Sequence, residues 1–471
     1  MSCHFNIPLK ILAVLFISAL LGYIFPVKVF LFLVGSFIFI SFFVVLFYNN
    51  LTAGLIFTLA LTLLFDFSGR VIISNLPDIT PGRLGFFLLV SLFATKLVLK
   101  EQRLKYVDRV EWLMVLFYSF CLVSMWQAGT FLKFFGEFVS QFLLPFAYFF
   151  IAKNTFDSQN KVTHFFNFAF VVGVYASIVG ILEHFGFDNI LINPIAESYR
   201  ASYSGDLRYI TGILGLPAAT GTLVSFCLIM SLYKSGESFS HWITSSVLKR
   251  LAIIPMVIAI FFSYQRSVYA GVLGALFVLL LFSRTLRRIA VVGLLLICTL
   301  VIVNWSNVTS YDRSVGGVAD PSNIYFRIAM AKTSLAIFAD HPIMGTGFGT
   351  YQDYADKYLT KVEGGISYRG IEESGQHNTF LGILSELGGI GILLFGLIFY
   401  FILKMAWVKY KMCPPGSSFR QVIAIFFGIG AIYFINANCF ETRYFELIND
   451  FFFVLAGIIA AYTPANREKW F

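Results

Sequence analysis

Charge is what this sequence has least of. Only 13% of its 471 residues are Asp, Glu, Lys or Arg, about half the usage of a soluble globular chain. That scarcity excludes an independent soluble domain of any size. Cysteine is thin as well, with six in all. Cys121, Cys227 and Cys298 fall inside apolar runs, Cys3 and Cys413 lie near their basic ends, and Cys439 lies near the other side. Such scatter gives neither a disulfide framework nor a metal-type spacing. No repeat period marks a solenoid. The glycines of GTGFG at 345–349 lack the preceding strand and the Lys-Ser/Thr of a nucleotide loop, so a flexible turn is expected there and not a phosphate cradle.

Apolar residues are what the chain has instead. They make up 58% of it, with 56 Phe among them. Runs near the ~20 residues that a helix needs to cross the hydrocarbon core recur from Ile7 to Tyr462. They predict spans at 8–24, 27–48, 51–66, 83–99, 111–127, 134–152, 164–185, 210–233, 249–264, 267–283, 289–304, 378–403, 420–437 and 449–463. The fold class is therefore an all-α polytopic membrane bundle of about 12–14 spans, short pairs such as 249–264 and 267–283 being candidates for broken or re-entrant segments. The first run passes Leu21, Gly22 and Tyr23 into Phe25 and Pro26 without a small-x-small site, and is expected to be retained.

Lys and Arg fall on alternate short loops: Lys96, Lys100, Arg103, Lys105 and Arg109; Lys153 and Lys161; Lys249 and Arg250; Arg284, Arg287 and Arg288; Lys404, Lys409, Lys411 and Arg420. The positive-inside rule makes these loops, and both termini, cytoplasmic. The net charge of +9 is thus mostly a topology signal and not a footprint for nucleic acid.

This orientation leaves outside a loop at 186–209, a tight connection SYQRS at 263–267 and a long segment at 305–377. Long loops are uncommon and usually functional. In this one, PSNIYFRIAMAKTSLAIFADHP reads as a capped helix. Ser322 or Asn323 opens it, Ile324, Ile328, Ala331, Leu335 and Phe338 line one side, and Pro342 stands just past its end. Arg327 and Lys332 suit an amphipathic helix at the outer interface, and packing as a lid on the bundle is compatible with that.

The run GQHNTFLGILSELGGIG at 375–391 then enters the next span. Gly388 and Gly391 stand 11 and 14 residues after His377, which at ~100° per residue returns both to roughly the histidine's face. Small residues favour close helix contact in membranes, so this face is expected to hold His377 rigidly at the membrane edge. The positive end of a helix disfavours imidazolium, leaving an imidazole able to take a proton; His or Asn at a helix start also serves simply as a cap. The same side carries Arg200, Arg208, Arg266 and Arg327. Arginine's planar fork matches phosphate, and Arg266 between apolar segments either faces a polar cavity or snorkels to the interface.

The segments SYQRSVYAG, FRIAMAKTSLAIFADHPIMGTGFGTY and HNTFLGILSELGGIG together resemble the O-antigen ligase and polymerase superfamily, over roughly residues 200–400. The ligase-type pattern His, Asn, nine residues, Gly, two residues, Gly is met by His377, Asn378, Gly388 and Gly391. The resemblance implies a GT-C-type, metal-independent, inverting glycosyltransferase without a cofactor. It would take a glycan from undecaprenyl diphosphate at the periplasmic face of a bacterial inner membrane. The acceptor would be a sugar hydroxyl, of lipid A core in a ligase, of a growing chain in a polymerase, or of a protein in an O-oligosaccharyltransferase. By motif position His377 would be the general base and Arg208 and Arg266 would hold the diphosphate. Arg327, Arg200 and Asn378 would be substrate-binding. The chain would divide into N-terminal spans (1–200), a catalytic region with the periplasmic loop (201–404) and C-terminal spans (405–471). An Arg-x-x-x-Leu element is missing at Arg208, Arg266 and Arg327, and no outer arginine is followed at eleven residues by Gly. A transporter of lipid-linked glycan is the rival class; it calls for internal repeats and charges near the midplane, whereas acidic residues such as Glu137 and Glu183 are sparse within the predicted spans and polar residues concentrate at one face.

Overall fold

The computed structural model describes residues 27–65, 79–187, 210–233, 251–282, 286–303, 305–310, 322–358 and 376–462. Over these the chain is an all-α polytopic bundle. Its helices are α1 (Val27–Phe47), α2 (Leu51–Phe65), α3 (Pro81–Val98), α4 (Arg109–Gln127), α5 (Phe131–Phe138), α6 (Leu144–Thr155), α7 (Gln159–His184), α8 (Pro217–Ser231), α9 (Ile253–Phe262), α10 (Arg266–Phe282), α11 (Arg287–Val303), α12 (Trp305–Val308), α13 (Ser322–Asp340), α14 (Tyr351–Tyr358), α15 (Thr379–Met412), α16 (Ser418–Ala437) and α17 (Glu446–Ala461). The described spans match the apolar runs to within a few residues at most ends, but α15 outlasts its run by nine and α8 begins only at Pro217. The expected span at 8–24 lies outside the described residues, as do Arg200 and Arg208.

Six helical segments among the described residues are long and apolar enough to cross a membrane: α3, α4, α5 through α6, α7, α15 and α16. Shorter apolar helices, α2, α8, α9 and α10 among them, complete the bundle. Helix starts follow local chemistry. Thr80 and Pro81 open α3. Asp108 and Glu111 form a reciprocal capping box on α4, satisfying backbone amides that the helix leaves unpaired. Closest packing occurs where side chains vanish: a methyl group on Gly457 of α17 would lie 2.4 Å from the Phe149 carbonyl of α6. Interlocked rings fill the middle, as where Phe117 meets Phe142 edge-on at 4.9 Å.

The helices alternate in direction, so the loops collect at two ends. At one, Lys409 Nζ donates to the carbonyls of Ile459, Ala460 and Tyr462 at 2.7–2.8 Å. Lys105 Nζ reaches Ala461 and Phe156, and Lys153 pairs with Glu111 and Asp108. Lys409 and Lys105 thus cap helix ends whose carbonyls are unpaired and partly negative, while Lys153 neutralises the capping-box carboxylates of α4. Burial lowers the Lys105 ammonium to about 8. Several lysines expected on one side of the membrane do sit at one end of the bundle. The opposite end gathers the C-termini of α4, α7, α9 and α16 and the N-termini of α3, α10, α15 and α17.

Two features of that opposite end differ from the sequence reading. Helix α13 forms over the expected residues, but it buries Ala329, Met330, Thr333, Ser334 and Ile337 while Ile328 and Leu335 are exposed. Small residues let its backbone approach the bundle closely, and the bulkier apolar stripe faces outward. Helix α15 is not one continuous helix. Gly388 has φ 63° and ψ −163°, so a face counted at 100° per residue from His377 through Gly388 to Gly391 does not exist. The break at Gly388 turns the two halves of the stripe apart.

Candidate functional site

The short first segment of α15 begins where the site does. Asn378 Oδ1 accepts from the Phe380 and Leu381 amides at 3.0 and 3.1 Å, and its Nδ2 donates to the Asn438 carbonyl at 3.1 Å. Asn378 is therefore an N-cap tied to the end of α16. Thr379 Oγ1 donates to the Phe440 carbonyl and accepts from the Thr442 amide. His377, one residue before the cap, is half-buried with its ring 5.6 Å from Phe326. Burial first, and the Arg327 charge second, hold its imidazole below the ordinary 6.5. The Arg327 guanidinium in turn lies 5.6 Å over the Phe440 ring.

The far end of this segment is fixed by the 342–350 loop. In an unbroken helix the amides of Gly389 and Ile390 would donate to the carbonyls of Ser385 and Glu386. Here they donate to the carbonyls of Pro342 and Ile343, at 2.8 and 3.2 Å, and Ser385 and Glu386 accept from the amides of Thr346 and Gly347, at 3.2 and 2.8 Å. Two helical bonds have been exchanged for four to the loop, so these two amides and two carbonyls stay paired across the break. This is the role of GTGFG. Four of its five amides are already engaged, those of Gly345, Thr346, Gly347 and Phe348, and Phe348 is wholly buried, so it is neither a phosphate cradle nor a flexible turn.

Between these two anchors lies a buried ionic cluster. Arg443 Nη1 donates to Glu386 Oε2 at 2.7 Å and its Nε to Glu441 Oε1 at 2.6 Å, and the three side chains are 2–7% exposed. Removal from water pushes the Glu441 carboxyl up to about 7, against the pull of Arg443. Burial opposes the charge on Arg443, but Glu386 and Glu441 outweigh it and hold the guanidinium well above its ordinary range. A second pair, Arg83 and Glu446 at 3.0 Å, stands at the same end.

The residues expected to act are distributed as follows. His377, Arg327 and Asn378 come together. Arg266 is the first residue of α10 and half-buried; its neighbour Ser267 donates to Asn436 Oδ1 at 2.9 Å. Asn436 lies two residues before Asn438, so the 436–442 segment touches both the Arg266 turn and the His377 turn. Arg200 and Arg208 are outside the described residues, though Ile210 donates to the Phe262 carbonyl just before that turn. The sequence reading missed Arg443, Glu386 and Glu441. The signal was available: an arginine flanked by two apolar runs, which drew notice at Arg266, recurs in FETRYFE.

Residues 251–396 match the O-antigen ligase family. That segment covers about a third of the chain and includes Arg266, Arg327, the 342–350 loop, His377, Asn378 and Glu386. It supports the O-antigen ligase superfamily for this chain and a membrane glycosyltransferase-like role in O-antigen processing. The family implies enzymatic ligase or polymerase activity on lipid-linked glycan and glycan acceptors as classes. Arg443 and Glu441 lie beyond the matched segment. No curated protein matches the chain.

Proposed function

We propose that this protein transfers a glycan from undecaprenyl diphosphate to a sugar hydroxyl of lipid A core at the periplasmic face of a bacterial inner membrane, an O-antigen ligation. The observation that carries the reading is the setting of His377: half-buried, fixed by the Asn378 cap, beside Arg327 and at the same end of the bundle as Arg266. In this reaction the acceptor oxygen attacks the anomeric carbon and a glycosidic bond forms as the bond to the diphosphate breaks. His377 takes the hydroxyl proton. Its lowered pKa keeps it neutral, and so able to accept, at pH 7. The charge that develops on the departing undecaprenyl diphosphate is met by Arg266 and Arg327, whose forks suit phosphate oxygens. Arg208 and Arg200 keep the roles that the resemblance gives them, and no step requires a metal ligand or a nucleotide loop. The lysine-capped end is cytoplasmic on this reading.

The test is a deletion strain, its lipopolysaccharide resolved as a ladder with carrier-linked glycan measured in parallel. Loss of all capped lipopolysaccharide with long chains accumulating on the carrier is the expected result. A core bearing one repeat unit would make the protein a polymerase, and an unchanged ladder would remove O-antigen as its substrate.

A further inference from the structure

Three departures from regular helix converge on one buried arginine. Helix α15 breaks at Gly388, α5 passes into α6 through a π-turn at Val139–Leu143, and a 3-10 turn at Thr442–Tyr444 precedes α17. The π-turn packs against the 3-10 turn, and the loop filling the break sets the Phe348 ring 6.0 Å from the Arg443 guanidinium. Single π-turns inside helices concentrate at functional sites, and irregular backbone in a membrane bundle persists only where other groups satisfy it.

The ion pairs at this point are poor candidates for plain stabilisation. Taking ionisable groups out of water offsets most of their attraction, and well-packed apolar residues would serve a bundle as well or better. Their geometry suggests another use. Glu386 sits on the first segment of α15, which the break uncouples from the rest of the helix. Glu441 and Arg443 sit on the loop whose neighbouring carbonyls hold Asn378 and Thr379. The sequence makes room for the cluster: a methyl group on Gly382 would stand 2.4 Å from Glu441 Oε2 and 2.8 Å from Arg443 Nη2.

We infer that Arg443, by bridging Glu386 and Glu441, is a positioning residue for the transfer reaction: it fixes the segment Thr379–Leu387, and with it His377, against the 436–442 segment that also contacts the Arg266 turn. The inference rests on His377 being the base. Arg443 acts through the orientation of that segment. The Asn378 cap and Thr379 tie the start of that segment to the 438–442 loop, and the 342–350 loop braces its far end; the bridge adds a charged tie from Glu386 to Arg443 and Glu441, so that both ends of the segment are fixed to the same loop.

The experiment uses the full chain, purified in lipid nanodiscs, with a lipid-diphosphate-linked glycan as donor and lipid A core as acceptor. The variants are Glu386→Gln and Gly382→Ala, the second of which keeps all three side chains and only displaces them. The expected result is a fall in kcat per folded molecule of about 10- to 100-fold with donor KM within about twofold, because a misplacement near 1 Å costs about 10²-fold in rate. A merely structural cluster would lower the yield of folded protein and leave kcat per folded molecule unchanged; that outcome in both variants, or failure of both to fold, overturns the inference. His377→Ala is measured alongside. If it stays active, the general-base reading falls and takes this one with it. If it is dead while both cluster variants turn over normally, only the role of Arg443 is lost.

Discussion

Gly388 and Gly345 meet backbone to backbone: a methyl group on Gly388 would lie 2.5 Å from the Gly345 nitrogen, and one on Gly345 would lie 2.3 Å from the Glu386 carbonyl carbon. The contact is what lets a loop take over two hydrogen bonds of a transmembrane helix. Gly388 also occupies a region of φ and ψ that is essentially reserved to glycine, where another residue costs about 1–3 kcal/mol. Gly388→Ala is therefore expected to lower the melting temperature in detergent and to abolish transfer. Gly396→Ala, in the same helix with nothing within 4 Å of the added carbon, is the control and should be neutral or gain up to about 1 kcal/mol. Equal melting of the two variants would sink the account of the break.

The Arg443 bridge makes a different prediction for stability. Arg443→Met leaves Glu386 and Glu441 buried without their cation, a situation that typically costs about 3–5 kcal/mol. Removing the excess charge as well, in Arg443→Met with Glu386→Leu and Glu441→Gln, should recover part of the lost melting temperature. A triple variant less stable than the single one would mean that the cluster's own attraction, and not unpaired charge, dominates.

Much of this was legible in the chain, and the misses share a cause. Apolar runs set the described spans because lipid demands internally bonded helices of fixed length. The alternation of Lys-rich loops anticipated the lysine-rich end where Lys105, Lys153 and Lys409 sit. Glycine spacing after His377 was ambiguous, since a glycine reads alike whether it lets another helix approach or lets its own helix break. Only the 342–350 loop, about 40 residues earlier, decides between them. Glu386 and Arg443 are 57 residues apart, and no local pattern pairs them. The Asn378 cap could be anticipated from its own neighbourhood, and Arg327 and His377 each drew notice separately; that they meet depends on how α13 folds back.

His377→Ala should abolish transfer while leaving the protein inserted and folded. Arg266→Lys should fail too, because an ammonium cannot present a planar fork to a diphosphate. Glycan transfer assayed at matched protein levels checks both. Normal transfer by the pair would remove the proposed site.

Arg327 offers a test through pH. Neutral His377 is the accepting form, so transfer should fall as pH drops through its pKa, which lies below the ordinary 6.5 because of burial and the Arg327 charge. Arg327→Gln removes the second cause and lets the pKa rise toward the ordinary value. The acid limb of kcat/KM, which reports the free enzyme, should then move to higher pH, even if the overall rate is lower. A limb that stays in place or moves to lower pH would show that Arg327 does not act on the imidazole.

Glu441 should give the protein a pH-dependent stability of the less usual sign. Its carboxyl is raised from an ordinary 4.5 to about 7, chiefly by desolvation, with Glu386 adding to the shift and Arg443 opposing it. Between these values the folded state keeps a proton that the unfolded chain has released. Stability from this group is thus fully present below pH 4.5 and is lost as pH rises through about 7, with a slope of at most about 1.4 kcal/mol per pH unit. Glu441→Gln cannot titrate and keeps the neutral shape. Melting curves from pH 5 to 8 should therefore show a decline in the native protein that the variant lacks, after other groups common to both are subtracted. An identical slope in the two would mean that Glu441 is ionised throughout this range, with Arg443 holding both carboxylates.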